Sequence, residues 1–416
     1  MRVLVVGAGA VGGAILRATS ESEVFSGVVA ADVDLSRARR AVERCADERL
    51  DACAIDAADA SAVAALAREK QVDVVVNACD PRFNPSIFAG AFKAGCHYLD
   101  MAMSLSQRHP ERPFELVGVP LGADQLAADA AWRERGQLAL VGMGVEPGLA
   151  DVFARYAADH LFDRIDRVGV RDGSDLTIEG LPFAPTFSVW TTIEECLNPP
   201  VVWERDRGWY TTEPFSDPEM FVFPEGIGAC ECVNVEHEEV FLVPRWVECQ
   251  EVTFKYGLGA EMVEMLRVLD RTGLASTEPV RVRDTVVSPR DVVAAVLPDP
   301  ASLGDKMRGR TCAGTYVTGT RRDGSAGAMY LYHVADNEDT MRRHGAQAVA
   351  WQTGINPVVA LELLAEGAWQ GAGVLGPEAF DAVPFLDRLR AKGEEWKVDD
   401  RSADVERDGV QSPRLA

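Results

Sequence analysis

Histidine is scarce in this chain, with six in 416 residues, and no two of the nine cysteines are spaced as C-x-x-C. The cysteines at 45, 53, 79, 96, 196, 230, 232, 249 and 312 are odd in number and scattered, which fits reduced thiols in a cytoplasmic protein and no disulfide framework. Basic residues are also short: 42 Lys and Arg face 65 Asp and Glu, a net charge of −23. Nucleic acid and anionic membrane are therefore poor partners. No long apolar run suggests a membrane span, and the opening "MRVLVVGAGAVGG" is too short and too rich in glycine for a signal peptide. What remains is a 47% hydrophobic, 26% charged chain, long enough for two or three domains.

The apolar run Val3 to Val6 leads straight into Gly7, Gly9 and Gly12 and a helical pattern. In that context the glycines allow a tight turn, close approach of a pyrophosphate and close helix packing, with the phosphates on the helix N-terminus. The next run, "GVVAAD", ends at Asp32, 20 residues beyond Gly12, where a carboxylate accepts ribose hydroxyls and repels a 2′-phosphate. NAD is therefore expected, with NADP possible because Arg37 follows. Strands over 51–56, 72–78, 96–100 and 137–143 alternate with helices over 59–69, about 86–94 and about 121–135. Such alternation predicts a Rossmann-type, doubly wound parallel sheet. Its carboxyl edge puts Gly7, Gly9, Ala10, Val11, Gly12, Asp32, Val33, Asp56, Asn77, Ala78 and Cys79 at the cofactor, with Asp100 at a neighbouring strand end.

Past residue 145 the strands lengthen, alternate and carry aromatics, which predicts a mainly antiparallel layer. The stretch "NVEHEEVFLVPR" alternates from Val233, placing His237 on an apolar strand face with Val235, Glu239 and Phe241. A histidine there suits proton transfer near neutral pH, although one simply satisfied by Glu239 has the same pattern. Arg245 at the strand end could grip a substrate carboxylate or lie on the surface. No convincing spacing for a metal site is found. Arg171 and Asp172 after "RVGV", and Arg308 and Arg310, are weaker candidates.

The glycine fingerprint, "VVVNACDPRFNPSIFAGAFKAGCHYLDMA", "GVEPGLADVFARYAADHLF", "TIEECLNPP" and "YLYHVADNE" together resemble the saccharopine dehydrogenase-like family, which includes lysine 6-dehydrogenase and carboxynorspermidine dehydrogenase. The resemblance covers about residues 1 to 390. It implies an NAD(P)-dependent oxidoreductase acting on a C–N bond of an amino-acid-derived substrate, saccharopine-like at first guess, and a homodimer; the alternatives are a deaminating lysine 6-dehydrogenase-type or carboxynorspermidine dehydrogenase-type enzyme, or a non-catalytic dinucleotide-binding regulator. It places Glu194 and Glu195 along the substrate pocket, and with His237 and Asp100 they are the acid–base candidates; Arg245, Arg171 and Arg310 are the substrate-binding candidates. The implied architecture is a cofactor domain over 1–145, an inserted α+β substrate and dimerisation domain over 146–344, and C-terminal helices over about 345–393 that return to the cofactor domain. A helical pattern over 341–369 is expected to break near Asn356–Pro357. From Glu394 onward the polar sequence predicts a mobile tail.

Overall fold

In the computed structural model, which describes residues 1–181 and 186–403, the first layer is a seven-stranded parallel sheet. Its strands are β1 (Arg2–Val6), β2 (Gly27–Asp32), β3 (Leu50–Ala54), β4 (Val74–Asn77), β5 (His97–Asp100) and β6 (Leu138–Leu140), closed at one edge by Gly373–Leu375. The spatial order is Gly373–Leu375, β6, β5, β4, β1, β2, β3. β1 and β4 sit in the middle with Val3 to Val6 and Val74 to Val76 almost wholly buried, because helices cover both faces. These helices include α1 (Ala10–Ser20), α2 (Leu35–Cys45), α3 (Ala60–Glu69) and α4 (Asn84–Ala94).

Then come α5 (Leu149–Tyr156), α6 (Val189–Leu197), α7 (Glu239–Trp246) and α8 (Ala348–Glu366). α8 crosses α1 so closely that a side chain at Gly354 would meet Ala14 Cβ at 2.8 Å. It is long and apolar enough to cross a membrane by length and composition, contrary to expectation, but most of it is buried within the protein. The expected break at Pro357 is also absent. α8 runs through it, and the interruption falls at Gly345, whose φ of +67° ends the preceding helix, and at Gln347, which caps Val349 N.

The second layer is a nine-stranded mixed sheet built from β7 (Phe162–Ser174), β8 (Val201–Glu204), β9 (Gly208–Thr211), β10 (Glu219–Phe223), β11 (Gly228–Asn234), β12 (Glu251–Gly257), β13 (Arg310–Arg321), β14 (Ala326–Asp336) and β15 (Trp396–Asp400). All of its pairings are antiparallel except β7 with β12. β15 corrects the expected tail: it pairs with β14, and buried Trp396 packs against Phe153 and Tyr156 at 5.8 and 5.2 Å. Glu394 is buried too, accepting from Trp351 Nε1 at 2.9 Å. The rest of the predicted tail, 404–416, lies outside the described residues.

Candidate active site

A cleft of about 880 Å³ runs from the carboxyl edge of the parallel sheet to the mixed sheet. At the first end, Gly7 has a φ of +102°, and a Cβ there would lie 2.5 Å from Ala78 O. A Cβ on Gly12 would lie 2.0 Å from Gly7 O, whereas one on Gly9 would meet nothing within 4 Å and would project into open space. This turn and the uncapped N-terminus of α1 make a cradle shaped for a dinucleotide pyrophosphate.

Of the expected cofactor residues, Gly7, Gly9, Ala10, Val11, Asp32, Val33, Asp56, Asn77, Ala78 and Cys79 line the cleft, and Gly12 lies behind it as a packing residue. Asp32 accepts from Ala8 N at 3.0 Å and Asp34 N at 2.9 Å, so its carboxylate also braces the turn. Burial pushes the Cys79 thiol up to about 12, so it stays protonated.

The other end of the cleft is acidic. Glu146, Asp172, Glu195, His237 and Tyr256 line it. His237 reaches it by a different route from the one its sequence suggests. β11 ends at Asn234, a loop carries Glu236 to Glu238, and α7 begins at Glu239, so the predicted strand is a strand end, a loop and a helix. Acidic residues belong at a helix N-terminus, and Val240 to Val243 are all buried, so the first half of α7 is enclosed on every side.

His237 is 4% exposed, stacks on Phe254 with centroids 3.8 Å apart, and sets Nδ1 2.5 Å from Glu239 Oε2. Burial works against its charge, but Glu239, with Glu238 and Glu195, outweighs this and raises its pKa to about 10. The partner expected from the sequence, Glu239, is therefore present, and the ring still faces the cleft. Ligand-capable atoms of His237, Glu238 and Glu239 lie within 4.8 Å of one another, a grouping the sequence spacing did not suggest. Their geometry is that of a charged hydrogen bond, because Nδ1 is given to Glu239 and Glu238 Oε1 accepts from Met103 N at 2.8 Å.

Glu195 and Glu194 separate. Burial, reinforced by Glu238 and Glu236 and partly offset by His237, lifts Glu195 to about 8, so it can give or take a proton near neutrality. Glu194 points away, into an ion pair with Arg290 and a bond from Asn198 Nδ2 at 3.1 Å. Asp100 is wholly enclosed, accepting from Gly142 N at 2.7 Å and Gln125 Nε2 at 2.6 Å; burial lifts it to about 7, yet it braces the sheet edge and does not line the cleft.

The arginine candidates lie elsewhere. Alternation along β7 sends Arg171 to the far face, paired with Glu219, and its neighbour Asp172 into the cleft. Arg310 binds Asp175 at 3.0 Å. Arg245 is on the last turn of α7, where it borders a separate cavity of about 560 Å³ with Trp209 and Phe241. Arg308 pairs with Glu338 at 3.5 Å.

Two residues of the acidic end were not singled out beforehand. Glu146 stands inside the "GVEPG" block, and Tyr256 on β12 carries no local signal. Glu146 and Asp172 are hydrogen-bonded to each other, and Asp172 also accepts the Tyr256 hydroxyl. The cleft continues past Asp172 and Tyr256 into a second space of about 610 Å³, walled by Leu176, Ile178, Leu258 and Met262 with Glu261 at its rim. Among the described residues no lysine or arginine lines that space.

Residues 3–140 match the family described as the saccharopine dehydrogenase NADP binding domain, and residues 144–394 match the saccharopine dehydrogenase C-terminal domain. A carboxynorspermidine synthase of Vibrio alginolyticus is 30% identical over 409 residues, covering 96% of this chain and 97% of that protein. A carboxyaminopropylagmatine dehydrogenase of Synechocystis sp. is 27% identical over 397 residues, covering 95% and 96%. In fold, the chain is similar to apo saccharopine dehydrogenase (L-Glu forming) from Saccharomyces cerevisiae, with a TM-score of 0.69 at 15% identity over 96% of this chain and 99% of that one.

Proposed function

The chain belongs to the saccharopine dehydrogenase family, and from that premise we propose that it acts on a carboxylated aliphatic polyamine. It is an NAD(P)-dependent oxidoreductase acting on a C–N bond of an amino-derived substrate. The finer reading rests on one observation: the substrate end of the cleft offers Glu146, Asp172 and Glu195, and the space beyond offers apolar walls and no described basic residue. Such a surface favours an alkyl chain bearing ammonium groups and disfavours saccharopine, which carries three carboxylates. The names of two relatives, carboxynorspermidine synthase and carboxyaminopropylagmatine dehydrogenase, describe compounds of the favoured kind.

Bound NAD(P) supplies or accepts the hydride. The chain holds the amine against Glu146 and Asp172, and His237 gives a proton to the nitrogen as the amine forms or takes one as it is oxidised. Cofactor turnover should be measured with carboxynorspermidine, saccharopine and lysine. We expect carboxynorspermidine to give the highest kcat/KM. Faster turnover of saccharopine, or of lysine with ammonia release, would overturn the substrate class.

We also propose a homodimer, supported by Met220 and Val222, exposed at 64% and 53% on one face of edge strand β10. A monomer in sedimentation equilibrium at micromolar concentration would end that idea. A cytoplasmic site, supported by nine free thiols, is proposed on the same footing and is checked by fractionation.

A further inference from the structure

Glu146 and Asp172 come from different layers, Glu146 from the loop before α5 and Asp172 from β7, and meet at the acidic end of the cleft. Glu146 Oε1 is buried, and no donor among the described residues reaches it. Two carboxylates accept and cannot donate, so a hydrogen bond between them requires a proton on one. Tyr256 donates to Asp172, which marks Asp172 as the ionised partner and Glu146 as the protonated one. Burial, followed by the charge of Asp172, holds the Glu146 proton well above the usual carboxyl range. Glu239, Tyr330 and Cys312 also face Glu146. His237 and Glu239 face Asp172.

An ammonium group has three N–H donors and a positive charge, and so can replace the shared proton at both oxygens. We infer that Glu146 and Asp172 form an ammonium subsite that is closed by one proton when empty, and that binding an aliphatic ammonium expels this proton to solvent. The exchange balances. The O–H bond of Glu146 breaks, its proton passes to water, and N–H···O bonds form from the intact ammonium to both carboxylates. The site then holds two negative charges facing one positive charge, with His237 and Glu239 behind it. This inference rests on the polyamine reading and adds to it the proton that the cation displaces.

The test is calorimetric titration of the full chain with spermidine, a carboxylate-free aliphatic triamine, with and without saturating NADP, at about 0.15 M salt to screen the acidic surface. Running it in buffers of different ionisation enthalpy counts protons. We expect about one proton released per spermidine near pH 7, and affinity that tightens ~10-fold per pH unit while Glu146 is protonated in the free protein. Glu146→Gln should still bind but release none, and Asp172→Asn, the second variant should the first fail to fold, takes away the charge that helps hold the Glu146 proton and should release less than wild type. Binding with no proton release, or release undiminished in both variants, overturns the inference and leaves the polyamine reading standing. Spermidine binding that is undetectable, or unaltered in affinity by either variant, overturns both.

Discussion

Arg37 Nη1 lies 3.6 Å from Asp32 Oδ1, half-exposed at the edge of the dinucleotide cleft. Asp32 alone argues for NAD, but its oxygens already accept Ala8 N and Asp34 N, and Arg37 is free to swing toward an added phosphate. We expect both cofactors to bind, with Arg37→Ala weakening NADP by about 1–2 kcal/mol and leaving NAD unchanged, on the scale of a charge-assisted hydrogen bond. Fluorescence titration with each cofactor checks this. Equal losses for both would remove Arg37 from the ribose end.

His237, held protonated to about pH 10, is an acid in the amine-forming direction. The rate in that direction should stay level through neutrality and fall as pH rises through about 10. His237→Gln should lower kcat by ~10²-fold or more, abolish that alkaline limb and spare cofactor affinity. Arg245→Ala, off the cleft, should leave the substrate constant where it was. A raised constant would restore the carboxylate-anchoring role suggested by the sequence.

Stability should decline from mildly acidic to alkaline pH. Burial raises Glu236 and Asp100 to about 7 and Glu195 to about 8, and His237 is raised to about 10. Each folded value lies above its unfolded one, so the folded protein holds more protons across this range. The carboxyl contributions are complete below about pH 4 and are lost as pH rises through about 7 to 8; that of His237 is complete below about 6.5 and lost through about 10. Thermal melts from pH 5 to 9.5 should show a falling Tm, with a shallower fall in Glu195→Gln. A Tm that climbs with pH would contradict these proton affinities.

The last two motif glycines should behave oppositely when substituted. Gly12→Ala drives a Cβ against Gly7 O and should cost about 1–3 kcal/mol of stability, as overpacking does. Gly9 has an ordinary φ of −75° and open space at its Cβ, so Gly9→Val should fold as wild type and lose dinucleotide binding. Melting curves and cofactor titration separate the two effects.

The parallel sheet was readable because strands buried on both faces are continuous apolar runs, as at Val3 to Val6, and because the glycine turn has few structural alternatives. His237 does line the cleft, but not through the strand alternation that its sequence suggested. Its valine and phenylalanine neighbours fit a two-residue period by coincidence, while the helix start they belong to shows in the acidic first turn. Of the adjacent candidates Arg171 and Asp172, only Asp172 lines the cleft, because the strand's alternation turns Arg171 to the far face. Glu146 acquires its role only from Asp172, which the chain brings to it from another layer; no local pattern carries that information. The supposed tail likewise has little periodicity, and one aromatic, Trp396, is enough to anchor it.

The edge strand Gly373–Leu375 pairs with β6 more than two hundred residues after β6 is made. During synthesis the first sheet must therefore wait with one edge of Leu138 to Leu140 open, the other being paired with β5, while all of the second layer except β15 is translated. An open apolar edge is where chains pair wrongly with one another. The nascent first half is thus the aggregation-prone species of this protein, and its protection in the cell depends on how soon the ribosome delivers the C-terminal quarter.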